Sequence, residues 1–416
     1  MELLKKVLKD IKPSKEEEKE VKDKITNFLK RVNKGLKDAK AELGGSGAKE
    51  TWLSHAHDAD VFVGFNYNKY KDKSDQLSDI LEKHLKKIFG KVSRLHGSRD
   101  YFQIKERGFT FEIVPILKIK NASDAKNITD VSPLHAAWVK KHKKYADDIR
   151  LTKQFCKAQG IYGAESYIKG FSGYICEILT VYYKGFIGLI KNASKWKEKV
   201  FIDVEKYYRN KKEILDKLNL SKIYSPLVII DPVQKDRNAA AAVSEEKFRE
   251  FVCVCREFLS KASEDFFEVK EVSVDELKER AGKDRLILLD VTALPGKEDV
   301  VGSKLLKSLE FIEKELIKKE FKIYEKGWKW DKAKKALFWL VVDKKLLSEN
   351  VEKQGPPVNL KEHAANFKKQ YKGKTFTKKG RIFAKVKREF CDVSKLVKDL
   401  IKNKYVKEKI KTISFS

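Results

Sequence analysis

Hydrophobic and polar positions follow two periods along the N-terminal third of the chain. Residues 58–65 alternate and are rich in β-branched and aromatic side chains, which predicts a strand. Residues 77–88 carry Leu and Ile at helical spacing up to Gly90, which predicts a helix. A second strand is predicted at 109–114. With a helical stretch at 1–40 in front, this order indicates a sheet covered by helices.

The remaining pattern predicts further helices and strands. Residues 145–215 are mainly helical in pattern, and Ser172 is the expected N-cap of a helix over 174–190 that is apolar on nearly all sides and therefore buried. Strands are predicted at 226–230, 285–291, 322–324 and 336–342, and helices at 245–261 and 303–320. The run Gly355-Pro356-Pro357 predicts a break in structure. The expected fold class is α+β with several domains.

The net charge indicates the class of molecule that the protein binds. The 416 residues include 91 Lys+Arg and 61 Asp+Glu, a net charge of +30. Such a surplus favours nucleic acid or an anionic membrane as partner, with adaptation to heat or salt, or plain solubility, as alternatives. No segment approaches about 18 uninterrupted apolar residues, so we expect no membrane span.

The N-terminus and the cysteines indicate the compartment. The first twenty residues are charged throughout and lack the apolar region of a signal peptide. The five cysteines form no CxxC pair and suit reduced thiols. We therefore expect a cytoplasmic protein.

Three acidic residues on the two N-terminal strands are candidate metal ligands. Asp58 and Asp60 are one residue apart, so both point to the same face of a strand, about 7 Å apart. Glu112 lies in the middle of the second strand, and its side chain points to the face opposite to that of Phe111 and Ile113. If the two strands are neighbours, three carboxylates meet, which is costly unless a cation lies among them. Oxygen ligands suit Mg²⁺.

A glycine-rich turn precedes these acids. Gly44, Gly45 and Ser46 would let backbone N–H groups and a hydroxyl approach a phosphate, and Lys49 adds a positive charge one turn later. Alone, such a turn is an ordinary loop, and a DxD pair is a solvated strand edge. In this order, the features are typical of phosphoryl transfer.

The residues that follow show a family resemblance. The segments GSGAKETWL (45–53) and DADVF (58–62) resemble the first motif of class I (archaeal-type) CCA-adding enzymes, members of the polymerase-β-like nucleotidyltransferase superfamily. The similarity continues in FEIVP (111–115), SPLH (132–135), LTK (151–153), GIYGAE (160–165), KGFSGY (169–174), DPV (231–233) and RNAA (237–240). It is dense from about 44 to 260 and thin after that.

The resemblance implies a role for each matching residue. Asp58, Asp60 and Glu112 would be catalytic and hold Mg²⁺. The nucleotide would be bound by Ser46, Lys49, His135, Lys153, Tyr162 and Arg237, with Arg237 near the incoming base and the RNA end. The implied reaction adds C, C and A to the 3′ end of tRNA from CTP and ATP by two-metal-ion phosphoryl transfer, without a nucleic-acid template. Glu112 departs from the more frequent Asp, and Gly47 loosens the phosphate loop.

Ordinary interpretations remain for the residues outside the acidic cluster. His135 could begin a helix, Lys153 could lie on a solvated helix face, Tyr162 could pack in a turn, and Arg237 could pair with a neighbouring aspartate. Two functional alternatives also remain. One is another terminal nucleotidyltransferase of the superfamily, such as a poly(A) polymerase or an oligoadenylate synthase. The other is an RNA-binding protein with a decayed catalytic domain.

The resemblance implies four parts along the chain: a polymerase-β-like catalytic head (1–145), a helical central domain (146–215), an α/β body (216–350) and a basic RNA-binding tail (351–416). Within the tail, residues 367–388 hold ten Lys or Arg, no acid and four aromatics. Cations contact phosphates and aromatics stack on bases, although a solvated charge run has the same composition. The oligomeric state is open, a homodimer included.

Overall fold

The computed structural model describes residues 2–416. Contacts group the chain into two compact units, Met1–Lys270 and Glu271–Ser416. Both units combine helices with sheets, so the predicted α+β multidomain class is confirmed.

The head of the first unit is a five-stranded mixed sheet. Along the chain, the elements up to the end of this sheet are α1 (Glu2–Ile11), α2 (Lys15–Asn33), β1 (Ala39–Leu43), α3 (Gly45–Lys49), β2 (Asp58–Asn66), α4 (Tyr67–Tyr70), α5 (Leu77–Phe89), β3 (Ser93–Leu95), β4 (Tyr101–Glu106) and β5 (Phe109–Lys118). The strand order is β1-β2-β5-β4-β3, and β2 and β5 run parallel. Phe28 of α2 and Leu81 of α5 pack against one face of the sheet. The other face of β2 and β5 is left for the acidic side chains.

The rest of the first unit is largely helical. It contains α6 (Ser132–Lys141), α7 (Ala146–Ala158), α8 (Gly173–Tyr182), α9 (Phe186–Ala193), β6 (Val200–Asp203), α10 (Lys211–Lys217), α11 (Leu220–Ile223), β7 (Leu227–Asp231), β8 (Gln234–Asn238) and α12 (Glu245–Ser260). Short 3₁₀ turns lie at 71–76, 122–124, 128–131, 143–145 and 264–267. Strands β6, β7 and β8 form one small sheet. The boundary predicted at 215/216 falls between two paired strands of this sheet.

The prediction of one continuous helix over 174–190 is wrong, because two helices cover this stretch. Ser172 does cap α8 and accepts a hydrogen bond from Ile175 N, as predicted. The chain then turns at Lys184 (φ 58°) and Gly185 (φ 119°), and α9 leaves at 91° to α8. Asp148 Oδ1 accepts from Phe186 N at 2.9 Å and so caps the new helix. The run from Tyr174 to Ile190 is apolar on nearly all sides, and hydrophobic periodicity therefore gave no sign of the bend.

Within the described residues, no single helix is long and apolar enough to cross a membrane. The bent pair of α8 and α9 passes by length and composition together, and most of its side chains lie in the core of the first unit.

The second unit contains two sheets and their helices. Its elements are α13 (Val274–Ala281), β9 (Arg285–Ala293), α14 (Glu298–Lys318), β10 (Ile323–Trp330), β11 (Lys335–Val342), β12 (Asn350–Pro357), α15 (Lys361–Gln370), β13 (Thr375–Lys378), β14 (Arg381–Lys387), α16 (Val393–Leu400), α17 (Lys404–Lys407) and β15 (Ile410–Phe415). The strand orders are β10-β11-β9-β15 and β12-β14-β13.

The break predicted around Gly355 is wrong, because these residues belong to β12. This strand lies at the edge of its sheet, so its outer side has no strand partner. A proline whose nitrogen faces that side removes no hydrogen bond of the sheet. The register shifts between Gln354 and Pro357, which accommodates the two prolines. A Cβ at Gly355 would come within 2.8 Å of the Phe367 ring, so glycine lets α15 pack closely on the strand.

Candidate active site

The three predicted acids lie on one face of the head sheet. Strands β2 and β5 are parallel neighbours with Asp60 opposite Glu112 and Asp58 opposite Thr110. The residues between them, including Ala59 and Phe111, are buried on the other face. Parallel partners in register point the same way, so Asp58, Asp60 and Glu112 share the face opposite to α2 and α5.

The electrostatics of Asp60 show that burial and negative neighbours outweigh the nearest positive charge. Burial raises the pKa of Asp60 to about 6, and the carboxylates of Glu112 and Asp58 add to this rise, while Lys49 opposes it. Glu112 Oε1 accepts a hydrogen bond of 2.7 Å from Gln103 Nε2 on β4. A cation between these carboxylates would relieve their repulsion.

The donor set fits a hard divalent cation such as Mg²⁺. The ligands are carboxylate oxygens, and burial together with the neighbouring carboxylates raises the pKa of Asp60, as expected where a cation belongs. No three Asp, Glu, His or Cys side chains of residues 2–416 form a ready-made metal cage. Mg²⁺ does not require one, because it commonly binds through one or two carboxylates, waters and substrate phosphates.

The glycine-rich turn packs directly against Asp60. Gly44 N donates to Asp60 O at 2.8 Å, and Gly45 has φ +51° with its hypothetical Cβ only 1.7 Å from Asp60 Oδ2. No side chain fits at Gly45 without moving the carboxylate. Ser46 follows in α3 and lines a cleft of about 680 Å³ together with Asp58 and Asp60. The structure therefore brings the predicted phosphate loop and the acids together.

The two predicted phosphate-binding lysines meet at a buried acid. Glu177 of α8 is 1% exposed and accepts from Lys49 Nζ at 2.8 Å and from Lys153 Nζ at 2.7 Å. Thr51 Oγ1 lies 3.1 Å from Glu177 and 2.9 Å from Lys153 Nζ. The Lys153 side chain is 4% exposed, so the interpretation as a solvated helix face is wrong.

Tyr162 joins this group at the N-terminus of α8. A Cβ at Gly173 would lie 2.8 Å from the Tyr162 hydroxyl and 3.5 Å from Lys153 Cε. Burial raises the pKa of Tyr162, so its hydroxyl remains a hydrogen-bond donor at neutral pH. Gly173 leaves the space in which Tyr162 and Lys153 come together.

His135 and Arg237 meet at a second buried acid, Asp231 at the end of β7. Asp231 is 0% exposed and accepts from His135 Nε2 at 3.0 Å, from Tyr174 Oη at 3.1 Å and from Arg237. Burial alone would raise the pKa of Asp231, but the contact with His135, a backbone N–H and Arg237 outweigh it, and the net pKa is lowered. Arg237 does pair with a neighbouring aspartate, as the ordinary interpretation held.

Tyr174 connects the two groups. Its ring lies 4.1 Å from the His135 ring, and Lys49 Nζ lies 5.2 Å from its centroid on the way to Glu177. The sequence analysis did not identify Tyr174, Glu177 or Asp231 as site residues. The signal for Glu177 was present, since it is the one charged residue in the otherwise apolar run Gly173–Tyr182.

Three family models match successive parts of the chain. The nucleotidyltransferase domain matches residues 22–135, the second domain of tRNA nucleotidyltransferase matches 147–268, and the C-terminal domain of the CCA-adding enzyme matches 289–413. A CCA-adding enzyme of Nanoarchaeum equitans is 34% identical over 95% of this chain and 96% of its own length. The chain belongs to the CCA-adding enzyme family. The enzyme of Methanocaldococcus jannaschii is 30% identical over 96% of this chain and 90% of its own length.

Solved structures support the fold of this nucleotidyltransferase. A cytoplasmic RNA terminal U-transferase aligns with a TM-score of 0.51 at 14% identity, covering 65% of this chain and 98% of that one. The RNA terminal uridylyl transferase Cid1 aligns with a TM-score of 0.50 at 16% identity and the same coverage. The predicted polymerase-β-like fold is therefore confirmed. Enzymes of this fold generally use divalent metal ions.

Replacing Gly45 with Ala should lower the rate of nucleotide transfer by about a hundredfold, because the new Cβ displaces the Asp60 carboxylate. The rate is measured with saturating nucleotide and RNA. Gly108→Ala is the matched control, since Gly108 also has a positive φ (+76°) but has no atom within 4 Å of the added Cβ. Equal losses of activity in the two variants would attribute the effect to backbone strain instead.

Proposed function

We propose that this protein adds C, C and A to the 3′ end of tRNA from CTP and ATP, without a nucleic-acid template, and releases pyrophosphate. The observation that carries the proposal is the placement of Asp60 and Glu112 side by side on β2 and β5, against the turn at Gly45. The relatives that align over at least 90% of both chains are named for this reaction. We further propose that the reaction takes place in the cytoplasm.

In the proposed reaction, the 3′-hydroxyl oxygen of the RNA attacks the α-phosphorus of the nucleotide. The bond to the bridging oxygen of the β-phosphate breaks, and pyrophosphate leaves with that electron pair. Two Mg²⁺ ions, with Asp58, Asp60 and Glu112 as their protein ligands, would supply two effects. One would lower the pKa of the hydroxyl, whose proton passes to a carboxylate or to solvent, and the other would offset the charge of the leaving pyrophosphate. The carboxylates would position the metal at this end of the site. The lack of a side chain at Gly45 leaves room for the Asp60 carboxylate.

The other predicted residues would bind and orient the nucleotide. Lys49, Lys153 and Tyr162 lie together near the N-terminus of α8, where donors and positive charge suit a triphosphate. Ser46 lines the cleft beside the acids and offers its hydroxyl. His135 and Arg237 are held by Asp231, and Arg237, with a side chain 32% exposed, would reach the base or the RNA end.

The test is extension of a tRNA that lacks its three terminal nucleotides. The protein is incubated with Mg²⁺ and each nucleotide alone, then with all four, and the products are sequenced. The proposal expects CTP alone to give two added residues and CTP with ATP to complete C, C and A. Long A tails would favour a poly(A) polymerase. Binding of tRNA without any extension would favour a decayed catalytic domain.

The tail offers a surface for RNA on one face of the sheet β12-β14-β13. Phe376 and Phe383 are register partners whose rings stack at 5.8 Å, and Phe376 is 37% exposed. On the same face stand the cations Lys378, Arg381, Lys385 and Lys387. The opposite face is covered by α15. An aromatic pair among cations suits RNA, because cations contact phosphates and rings stack on bases.

Removal of one cation from this face should weaken tRNA binding and make that binding less dependent on salt concentration. For Lys385→Gln, the slope of log affinity against log salt should become shallower by about one unit, with affinity reduced similarly for different tRNAs. The matched control is Lys353→Gln, because Lys353 lies on the face of α15 and contacts the Tyr371 ring. Binding is measured between about 50 and 200 mM salt. An unchanged slope for Lys385→Gln would remove this face from the RNA-binding surface.

A further inference from the structure

Glu177 is a charged residue in the middle of an apolar helix. It is 1% exposed, and its neighbours on α8, Cys176 and Ile178, are fully buried. An ionised carboxylate in such surroundings costs several kcal/mol unless partners compensate it. Its partners come from two different parts of the first unit: Lys49 and Thr51 follow the glycine-rich turn, and Lys153 lies on α7.

Glu177 and its two lysine partners together carry one net positive charge. Each carboxylate oxygen takes one ammonium group, Lys49 on Oε2 and Lys153 on Oε1. Burial alone would raise the pKa of Glu177, but the two lysines outweigh it and the net pKa is lowered, so the acid is ionised at neutral pH. The two lysines that would bind the triphosphate are therefore already bound to an anion of the protein itself.

We propose that Glu177 is a positioning residue that holds Lys49 and Lys153 for the nucleotide and limits how tightly these lysines bind triphosphate and pyrophosphate. This inference rests on the proposed function, in which both lysines meet the phosphates. A polyanion entering the site must compete with the carboxylate for the same ammonium groups. Ground-state binding energy is thereby reduced without loss of the groups needed during reaction, and pyrophosphate leaves more readily.

The variant Glu177→Gln removes the competing charge and keeps the size of the side chain. We expect its affinity for a non-hydrolysable CTP analogue, and for pyrophosphate, to rise by about three- to tenfold. Without ligand, the variant should melt at a lower temperature, because two buried cations lose their anion. The increase in melting temperature on adding the analogue should be larger than in the unmodified protein. Calorimetric titration with Mg²⁺ and without RNA, at neutral pH, measures both affinities independently of turnover.

The matched control is Thr180→Val on the same helix. Thr180 is fully buried, lies three residues after Glu177, and contacts Thr152 Oγ1 at 2.8 Å and Cys176 O at 2.7 Å. This variant also loses a buried hydrogen bond, yet we expect its affinity for the analogue to be unchanged. A general effect of loosening α8 would instead alter both variants alike.

Two outcomes overturn the inference in distinguishable ways. If Lys49→Met and Lys153→Met each weaken analogue binding but Glu177→Gln does not strengthen it, the role of Glu177 is refuted and the proposed nucleotide site stands. If neither lysine variant affects binding, the proposed nucleotide site itself fails. Should Glu177→Gln not fold, Glu177→Asp takes its place. Its shorter side chain cannot hold both ammonium groups, so affinity should rise by a smaller factor, and an unchanged or lower affinity refutes the inference.

Discussion

Replacing Asp60 with Asn should abolish nucleotide incorporation, lowering the rate by about a thousandfold or more. Asp60 is more buried than Asp58 and lies directly opposite Glu112. Loss of its charge removes a proposed ligand of the cation, and a bound metal contributes several kcal/mol to stabilisation of the transition state. Single-turnover extension of tRNA measures the rate, and a filter-binding assay should show tRNA affinity within about twofold of normal.

The matched control for this variant is Glu42→Gln. Glu42 is an exposed acid on β1 of the same sheet and pairs with Lys40, so its loss should leave the extension rate unchanged. Extension by Asp60→Asn at more than about a tenth of the normal rate would contradict a role for Asp60 in the chemistry. Loss of tRNA binding together with activity would indicate a misfolded head.

The largest effect on stability should come from Asp130→Asn. Asp130 is fully buried and accepts from Arg99, from Leu117 N at 2.8 Å, from Lys126 N at 3.0 Å and from Asn127 N at 2.9 Å. The amide would leave the buried guanidinium without its anion and place an N–H group against donors. We expect the free energy of unfolding to fall by about 3–5 kcal/mol, as measured by urea denaturation.

A neighbouring aspartate provides the control for Asp130. Asp124 is half-buried and accepts from Asn121 N at 3.3 Å, so Asp124→Asn should cost less than about 1 kcal/mol. Hydrogen exchange gives a local readout, because the amides of Leu117, Lys126 and Asn127 should exchange faster in Asp130→Asn alone. A loss below about 1 kcal/mol for Asp130→Asn would contradict the importance of this buried pair.

Local pattern predicted the catalytic strands well. Alternation fixed Asp58 and Asp60 on one face and Glu112 on the face opposite Phe111, because the side-chain period of a strand is two. The pattern did not reveal that β2 and β5 are neighbours, since strand pairing is a property of the whole sheet. The family resemblance supplied that expectation, and the parallel register confirms it.

Long-range contacts account for most of what the sequence did not reveal. Glu177 lies 128 residues from Lys49 and 24 from Lys153, and no local period relates these positions. Asp231 and His135 are likewise 96 residues apart. The resemblance implied roles for Lys49, Lys153 and His135, but the acids that orient them depend on how α8 and β7 pack on the head. A lone acid in an apolar run was the available signal.

The central claim is that Asp58, Asp60 and Glu112 together bind the divalent cation at the reacting end of the nucleotide. Its most direct test is an anomalous-difference map of crystals grown with Mn²⁺ and a non-hydrolysable CTP analogue. We predict manganese density in direct coordination with Asp58 and Asp60 and next to Glu112, in contact with the triphosphate. Manganese and triphosphate bound elsewhere, with these three carboxylates bare, would contradict the claim.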